Sequence, residues 1–380
     1  MSDRPYKYLA IAPGRVNLLG EHVDYNGGAV LPAAIDLNAR LEFSLREDSL
    51  VQIEAPDLHE KIVFDLDQLD QKVDVTGSPL PGWAYYPAGV AWSLMQSGMT
   101  LPGLDGRFSS TVPIGSGLSS SAAMEVAFAS AWNTISNGNL DNTQIALLSQ
   151  RAENQYVGVN CGIMDQFASA NGVAGHAIYL DTRTLDFHPV PLPMGTVIVI
   201  ADSGVRRSLH NSEYNIRRAG CEQALAILAK KIPGIQYLRN VSSIQLDHYY
   251  SLLPDPVNGY ARHIVEECER VDQAVSLLEN NDASGFGALM FKCHASLRDL
   301  YRVSAPELDV LVDIAAKQPG CLGARLTGAG FGGCTVNLLE EAAASLFIEK
   351  LKAGYLKVTG KVASVYQCKA SAGVKVTKVD

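Results

Sequence analysis

The chain has 380 residues, 47% of them hydrophobic and 19% charged, with a formal net charge of −9. That length suits two packed domains and that balance a soluble globular core, while the acidic charge excludes a basic field for nucleic acid or an anionic membrane. Seven cysteines (161, 221, 268, 293, 321, 334 and 368) form no C-x-x-C pair, so reduced thiols in a cytosolic protein are expected, with neither a disulfide frame nor a zinc site.

The start, "MSDRPYKYLAIAPGR", has charges and prolines where a secretion signal needs an apolar core. "KYLAIAPG" alternates as a strand into Pro13-Gly14, and "AVLPAAIDLNARLEFSLRE" continues in strand-like alternation. Residues 85–98 read as a helix with Val90, Leu94 and Met95 on one side, and "MTLPGLDGRFSSTVPIGSG" as a strand running into a Gly-rich turn. From Ser119 the spacing of Ala122, Val126 and Ala129 predicts a helix with one buried face, capped by one of the serines. A further helix is expected from a Thr143 cap through Leu147, Arg151 and Gln155 to Gly158.

"DFHPVPLPMG", with prolines at 189, 191 and 193, fits neither helix nor central strand, and the domain border is placed there, giving 1–193 and 194–380. Beyond it come a buried strand at 196–201, a helix through 211–231, two helices near 258–279 and 284–300, and "GARLTGAGFGGCTVNLL", a Gly-rich turn feeding a strand. "TVIVIA" at 196–201 is far shorter than a membrane span. Strands and helices without regular βαβ alternation predict an α+β fold.

Three stretches carry chemistry. "PIGSGLSSSAAMEVA" (113–127) turns on glycines and opens a helix, so successive amides and the helix dipole could hold phosphate oxygens without a lysine; it could equally be a tight turn with an N-cap. "APGRVNLLGEHVDYNGG" (12–28) crowds Arg15, Asn17, Glu21, His22, Asp24, Tyr25 and Asn26 about a Gly20 turn. Carboxylates, an imidazole and an amide suit a polyhydroxylated ligand, whose hydroxyls both donate and accept; the plainer alternative is a polar surface loop. "RAENQYVGVNCGIMDQFAS" (151–169) holds Glu153 in a helix and Asp165 after the turn at 160–162. By itself Asp165 reads as a helix N-terminal charge.

These stretches, with "LTGAGFGGCTVNL" at 326–338, resemble the signature motifs of the GHMP kinases in their order along the chain; "GRVNLLGEHVDYNGG" resembles the signature of their galactokinase family and "PIGSGLSSSAAMEVA" the superfamily's phosphate loop. The resemblance implies a two-domain α+β fold, an N-terminal mixed-sheet domain and a C-terminal ferredoxin-like one with the active site between. It implies Mg²⁺-dependent transfer of the ATP γ-phosphate to O1 of α-D-galactose. Gly115, Ser116, Gly117, Leu118, Ser119, Ser120 and Ser121 would wrap the phosphates, and Ser121 with Glu153 would ligate Mg²⁺, an oxygen pair suited to an octahedral ion. Asp165 would be the base, Arg15 its neighbour at the γ-phosphate. Glu21, His22, Asp24, Gly162 and Tyr214 would bind sugar hydroxyls, residues 328–333 would brace the site, and adenine would pack near Trp83. Galactose and ATP are then the expected partners of a cytoplasmic monomer.

Two rivals stay in view: a kinase of N-acetylgalactosamine or another galactose-like sugar, and a non-catalytic sensor of galactose and ATP. Against the sensor, Ser121-Ala122 is intact and Arg15, Glu153 and Asp165 are present. A dinucleotide-dependent oxidoreductase is excluded, since "GSGLSS" does not complete G-x-G-x-x-G and no acidic residue closes a second strand near residue 140. His294 is expected to sit in a packed helix.

Overall fold

The computed structural model of the protein describes residues 6–206 and 210–379; the first five residues of the stretch read as lacking a secretion signal lie outside them. The alternation of the N-terminal third becomes β1 (Tyr8–Asn17), a short β2 (Ala29–Val30) and a long β3 (Pro32–Leu45), followed by β4 (Leu50–Ala55), β5 (Glu60–Asp65) and β6 (Leu104–Ser110). β1 and β3 are antiparallel, and their register shifts between Pro13 and Arg15, where proline cannot donate to the ladder. Helices α1 (Tyr85–Gln96), α2 (Ser120–Ile135), α3 (Asn142–Arg151) and α4 (Met164–Asn171) complete this half, with β7 (His176–Asp181) and β8 (Phe187–Pro191).

β2, β7 and β8 form a three-stranded sheet, and the proline-rich run supplies its edge strand β8, the place where missing N–H donors cost least. α2 departs from the expected one-sided helix. Every residue from Ala122 to Trp132 is buried, because α2 lies against β1 and β3 on one side and against α1, α3 and α4 on the others. An Ala-rich sequence permits such close approach all round. The cap of α3 is also not Thr143: Asp141 accepts from the Gln144 amide at 2.8 Å while the Gln144 side chain accepts from the Asp141 amide at 2.9 Å. This reciprocal pairing satisfies two donors at once.

The second half holds β9 (Thr196–Asp202), α5 (His210–Leu228), α6 (Ser243–Tyr249), α7 (Val257–Glu279), α8 (Ala283–Asp299), α9 (Pro306–Ala315), β10 (Cys321–Thr327), β11 (Cys334–Glu340), α10 (Ala344–Thr359) and β12 (Ser364–Cys368). Its antiparallel sheet runs β10-β11-β9-β12. β9 explains its own apolar run. Ile198 and Ile200 face the large core shared with the first half, whereas Val197, Val199 and Ala201 face a second cluster with Leu311 of α9 and Phe347 and Leu351 of α10. A strand buried on both faces needs apolar residues at every position. His294 lies buried in α8.

One element crosses the division drawn at 193/194. β13 (Lys375–Lys378) returns to pair with β1, so the first sheet runs β13-β1-β3-β6-β4-β5, with β4 and β6 parallel. Those four residues belong to the N-terminal sheet.

Candidate active site

The turn 113–119 ends with Ser119 at the N-cap position of α2, but the expected serine cap is absent. Ser119 is left-handed (φ +61°), its side chain makes no capping bond, and its hydroxyl donates instead to Asp165 Oδ2 at 2.6 Å. Asp165 stands in the first turn of α4. Its other oxygen, Oδ1, receives Arg15 Nε at 2.9 Å and Nη2 at 2.6 Å, and Arg15 Nη1 donates to the Gly117 carbonyl at 2.6 Å. One guanidinium fork thus ties the first motif to the second and the third.

Two cavities meet at this pair. The larger, about 670 Å³, is lined by Leu58, Trp83, Tyr86, Phe108, Ile114 and Met124 at its apolar end and by Gly115, Gly117 and Ser119–Ser121 at the other. The smaller, about 270 Å³, is lined by Glu21, His22, Asp24, Glu153, Gly162 and Tyr214. Arg15, Asp165, Gly328 and Ala329 line both. Within the loop 115–121 two residues depart from the expected wrapping: Ser116 and Leu118 are buried and line neither cavity. Ser116 donates to the Pro113 carbonyl, and the Leu118 carbonyl accepts the Arg15 amide. The 328–333 turn leans on this loop so closely that a Cβ on Gly328 (φ +83°) would sit 3.1 Å from the Gly117 carbonyl oxygen. Only a glycine meets both demands.

Glu153 is carried by a π-helical turn, residues Ala152–Val157, that continues α3 to a left-handed Gly158. Such a turn re-aims a side chain that a regular helix would carry elsewhere. Its Oε2 accepts from Gln166 Nε2 at 2.6 Å and the Cys161 thiol at 3.1 Å, and the nearby Ser121 favours the ionised form of this carboxyl. Gln166 donates at 2.9 Å to Glu125 as well, a fully buried carboxyl that burial and the Glu153 charge push well above the usual range. Sequence reasoning passed over Glu125 as one more residue of an apolar helix; its charge amid alanines was the signal.

On the sugar-type side, burial and the Asp165 charge raise the Asp24 carboxyl to about 7. Asp24 lies against Gly162, where a Cβ would come within 1.8 Å of Asp24 Oδ2. Glu21 is paired with Arg325, which is fully buried in β10 and donates through Nε to the Leu326 carbonyl at 2.7 Å. Behind them, Glu267 of α7 accepts the Gly20 amide at 2.7 Å and Arg270 Nε at 2.6 Å. Burial would raise Glu267, but Arg270, His263 and Arg325 outweigh it and hold it at about 2. His263 reaches the Glu21 carbonyl at 3.1 Å. Arg325, Glu267, Arg270 and His263 were all missed; an arginine inside the apolar strand "GARLT" was the one visible hint.

All the expected site residues except Ser116 and Leu118 therefore border the two cavities. Trp83 stands at the apolar end, its indole N–H bonded to Glu60. His22, left-handed at φ +64°, has both ring nitrogens engaged, with Tyr25 and with the Ala329 carbonyl.

A family model for the GHMP kinases N terminal domain matches residues 86–173, one for the GHMP kinases C terminal matches 274–357, and one for the galactokinase galactose-binding signature matches 2–44. A galactokinase of Roseiflexus sp. (strain RS-1) is 45% identical over 363 residues, 96% of this chain and 91% of that protein. This chain belongs to the galactokinase family of GHMP kinases. A galactokinase of Streptomyces coelicolor is 42% identical over 96% of this chain and 92% of its own. The crystal structure of Lactococcus lactis galactokinase complexed with galactose superposes with a TM-score of 0.92 at 36% identity, covering 99% of this chain and 96% of that one. Methanococcus jannaschii mevalonate kinase, at 20% identity and a TM-score of 0.70 over 97% and 99% of the two chains, shares the fold.

Proposed function

We propose that the protein transfers the γ-phosphate of ATP to O1 of α-D-galactose, giving α-D-galactose 1-phosphate and ADP. The observation that carries this reading is the place of Asp165: a carboxylate gripped by Arg15 at the junction of an apolar, glycine-lipped cavity and a polar one. The larger cavity suits a nucleotide, with adenine beside Trp83 and the phosphates at Gly115, Gly117 and Ser119–Ser121. The smaller suits a hexose, with Glu21, His22, Asp24, Gly162 and Tyr214 around its hydroxyls.

Positioning and charge stabilisation dominate phosphoryl transfer. Asp165 accepts the proton of the sugar O1 hydroxyl. Arg15 holds that carboxylate in place through its Nε and Nη2 bonds, and its fixed charge faces the transferring phosphoryl group. Ser119, donating to the other Asp165 oxygen, leaves a single direction from which O1 can approach. Ser121, lining the larger cavity, and Glu153, lining the smaller, form an all-oxygen pair that fits Mg²⁺. Mg²⁺ held there would neutralise phosphate charge.

The seven cysteines are all unpaired, which supports a reducing cytoplasmic location. Among the described residues no helix is long and apolar enough to cross a membrane. An ADP-release assay over a panel of hexoses and N-acetylhexosamines, with and without Mg²⁺, tests the reading. Turnover greatest with galactose and dependent on Mg²⁺ is the expected result; turnover greatest with N-acetylgalactosamine would reassign the substrate.

A further inference from the structure

His22 and Tyr25 lie in the sugar-side motif, but what holds them comes from far along the chain. His22 Nε2 is 3.3 Å from the Ala329 carbonyl oxygen, and Nδ1 is 3.0 Å from the Tyr25 hydroxyl. The Tyr25 hydroxyl is 2.6 Å from that of Tyr301, which in turn is 3.3 Å from Cys221 Sγ. A carbonyl oxygen can only accept, so in a neutral ring Nε2 carries the hydrogen and Nδ1 is the acceptor. Each remaining link then has one direction open to it. Tyr25 donates to His22, Tyr301 donates to Tyr25, and the Cys221 thiol donates to Tyr301.

The surroundings keep the ring neutral. Burial, with His263 and the charges of Arg325 and Arg217 adding to it, lowers His22 to about 3. The rings of Tyr301 (4.8 Å between centroids) and Tyr214 (5.7 Å) enclose it. Tyr301 is itself fully buried, packed on His263 at 4.6 Å, and its carbonyl accepts Arg217 Nε at 3.2 Å. Nothing in phosphoryl transfer uses these buried hydroxyls directly.

We infer that the Cys221–Tyr301–Tyr25 chain of hydrogen bonds locks His22 as an Nε2 donor at the wall of the smaller cavity, making Tyr25 and Tyr301 positioning residues for sugar recognition. This rests on the proposed sugar-kinase reading for what fills that cavity. A sugar oxygen entering beside Ala329 takes the Nε2 hydrogen in place of the carbonyl and meets the ring in one tautomer and one orientation. The site is thereby selective for a hydrogen-bond acceptor at that point, with the tautomer of the ring set before binding.

The test combines ¹⁵N-histidine NMR of the sugar-free protein with steady-state kinetics of Tyr25→Phe and Tyr301→Phe, both of which keep the packed rings. In the parent, His22 is expected to show a protonated Nε2 and an unprotonated, hydrogen-bonded Nδ1. In Tyr25→Phe the Nδ1 resonance should shift as its donor is lost. The galactose KM should rise about 5- to 10-fold in Tyr25→Phe and about 3-fold in Tyr301→Phe, the scale of one missing hydrogen bond. The ATP KM and kcat should stay within about twofold of the parent, because only ground-state sugar binding is loosened. His22 protonated on Nδ1 in the parent, or a galactose KM unchanged in both variants even with lowered thermal stability, overturns the inference. Parent protein with the expected nitrogen shifts but no turnover of galactose sinks the sugar-kinase reading and leaves the hydrogen-bond chain supported.

Discussion

The two cavities that meet at Asp165 are built by opposite means. The larger takes its polar end from backbone at Gly115–Ser121 and its apolar end from side chains of the same half, and the 328–333 turn presses on it through glycine. The smaller is a wall of charged and aromatic side chains, and the Gly20–Glu21 turn within it is held by partners in the other half: Arg325 on the Glu21 carboxylate, Glu267 on the Gly20 amide, His263 on the Glu21 carbonyl. Backbone amides need only the right local turn to present their dipoles. Buried carboxylates need counter-charges, which must come from wherever the fold can supply them.

That contrast can be broken experimentally, and the largest effect is expected in the polar wall. Arg325→Met leaves Glu21 buried without its counter-ion and should cost about 3–5 kcal/mol of stability, read by denaturant unfolding, with most of it recovered in the double variant carrying Glu21→Gln. A midpoint unchanged by Arg325→Met would mean that the wall does not depend on the distant half. At the junction, Asp165→Asn should lower kcat by about 100-fold or more, the scale of a lost general base, in rapid-quench or ADP-release kinetics. Arg15→Lys keeps the charge but cannot bond Asp165 and the Gly117 carbonyl together, and a kcat lower by about 10- to 100-fold is expected.

Gly162→Ala sharpens the comparison, because its new Cβ must displace Asp24 and nothing in the nucleotide cavity. A galactose KM about 10-fold higher with an unchanged ATP KM is the expected split, at the overpacking scale of about 1–3 kcal/mol. The smallest effect is the pH response of Asp24, whose folded value of about 7 lies above its unfolded 3.8. The folded state therefore holds the extra proton between those values, and its stability falls as pH rises from about 4 to 7, then stays level. Galactose binding through an ionised Asp24 should strengthen over the same upper limb, so kcat/KM for galactose should rise from pH 6 to 8 and flatten in Asp24→Asn.

Most of the fold was legible because its signals are local. Alternation marked β1 and β3 and "TVIVIA" marked a buried strand, whereas the proline run, read as a domain border, became the edge strand β8. The errors have physical causes too. Three serines in a row looked like a helix cap, yet the left-handed Ser119 turns its hydroxyl to Asp165, a partner 46 positions away. α2 looked one-sided because periodicity reports the strongest face and cannot count how many neighbours will pack round a helix of small residues.

The sequence by itself determined the ingredients: a lysine-free glycine turn opening a helix, a crowded polar motif at 12–28, and an aspartate at the head of a short helix. Tertiary structure alone decided their arrangement. It brought Arg15, Gly117, Ser119 and Asp165 to one junction and set Arg325 and Glu267 behind Glu21 and Gly20. The reason is that charge pairing and hydrogen bonding act over a few ångströms in space with no regard for distance along the chain, so a residue's neighbours in sequence cannot name its partners in the fold.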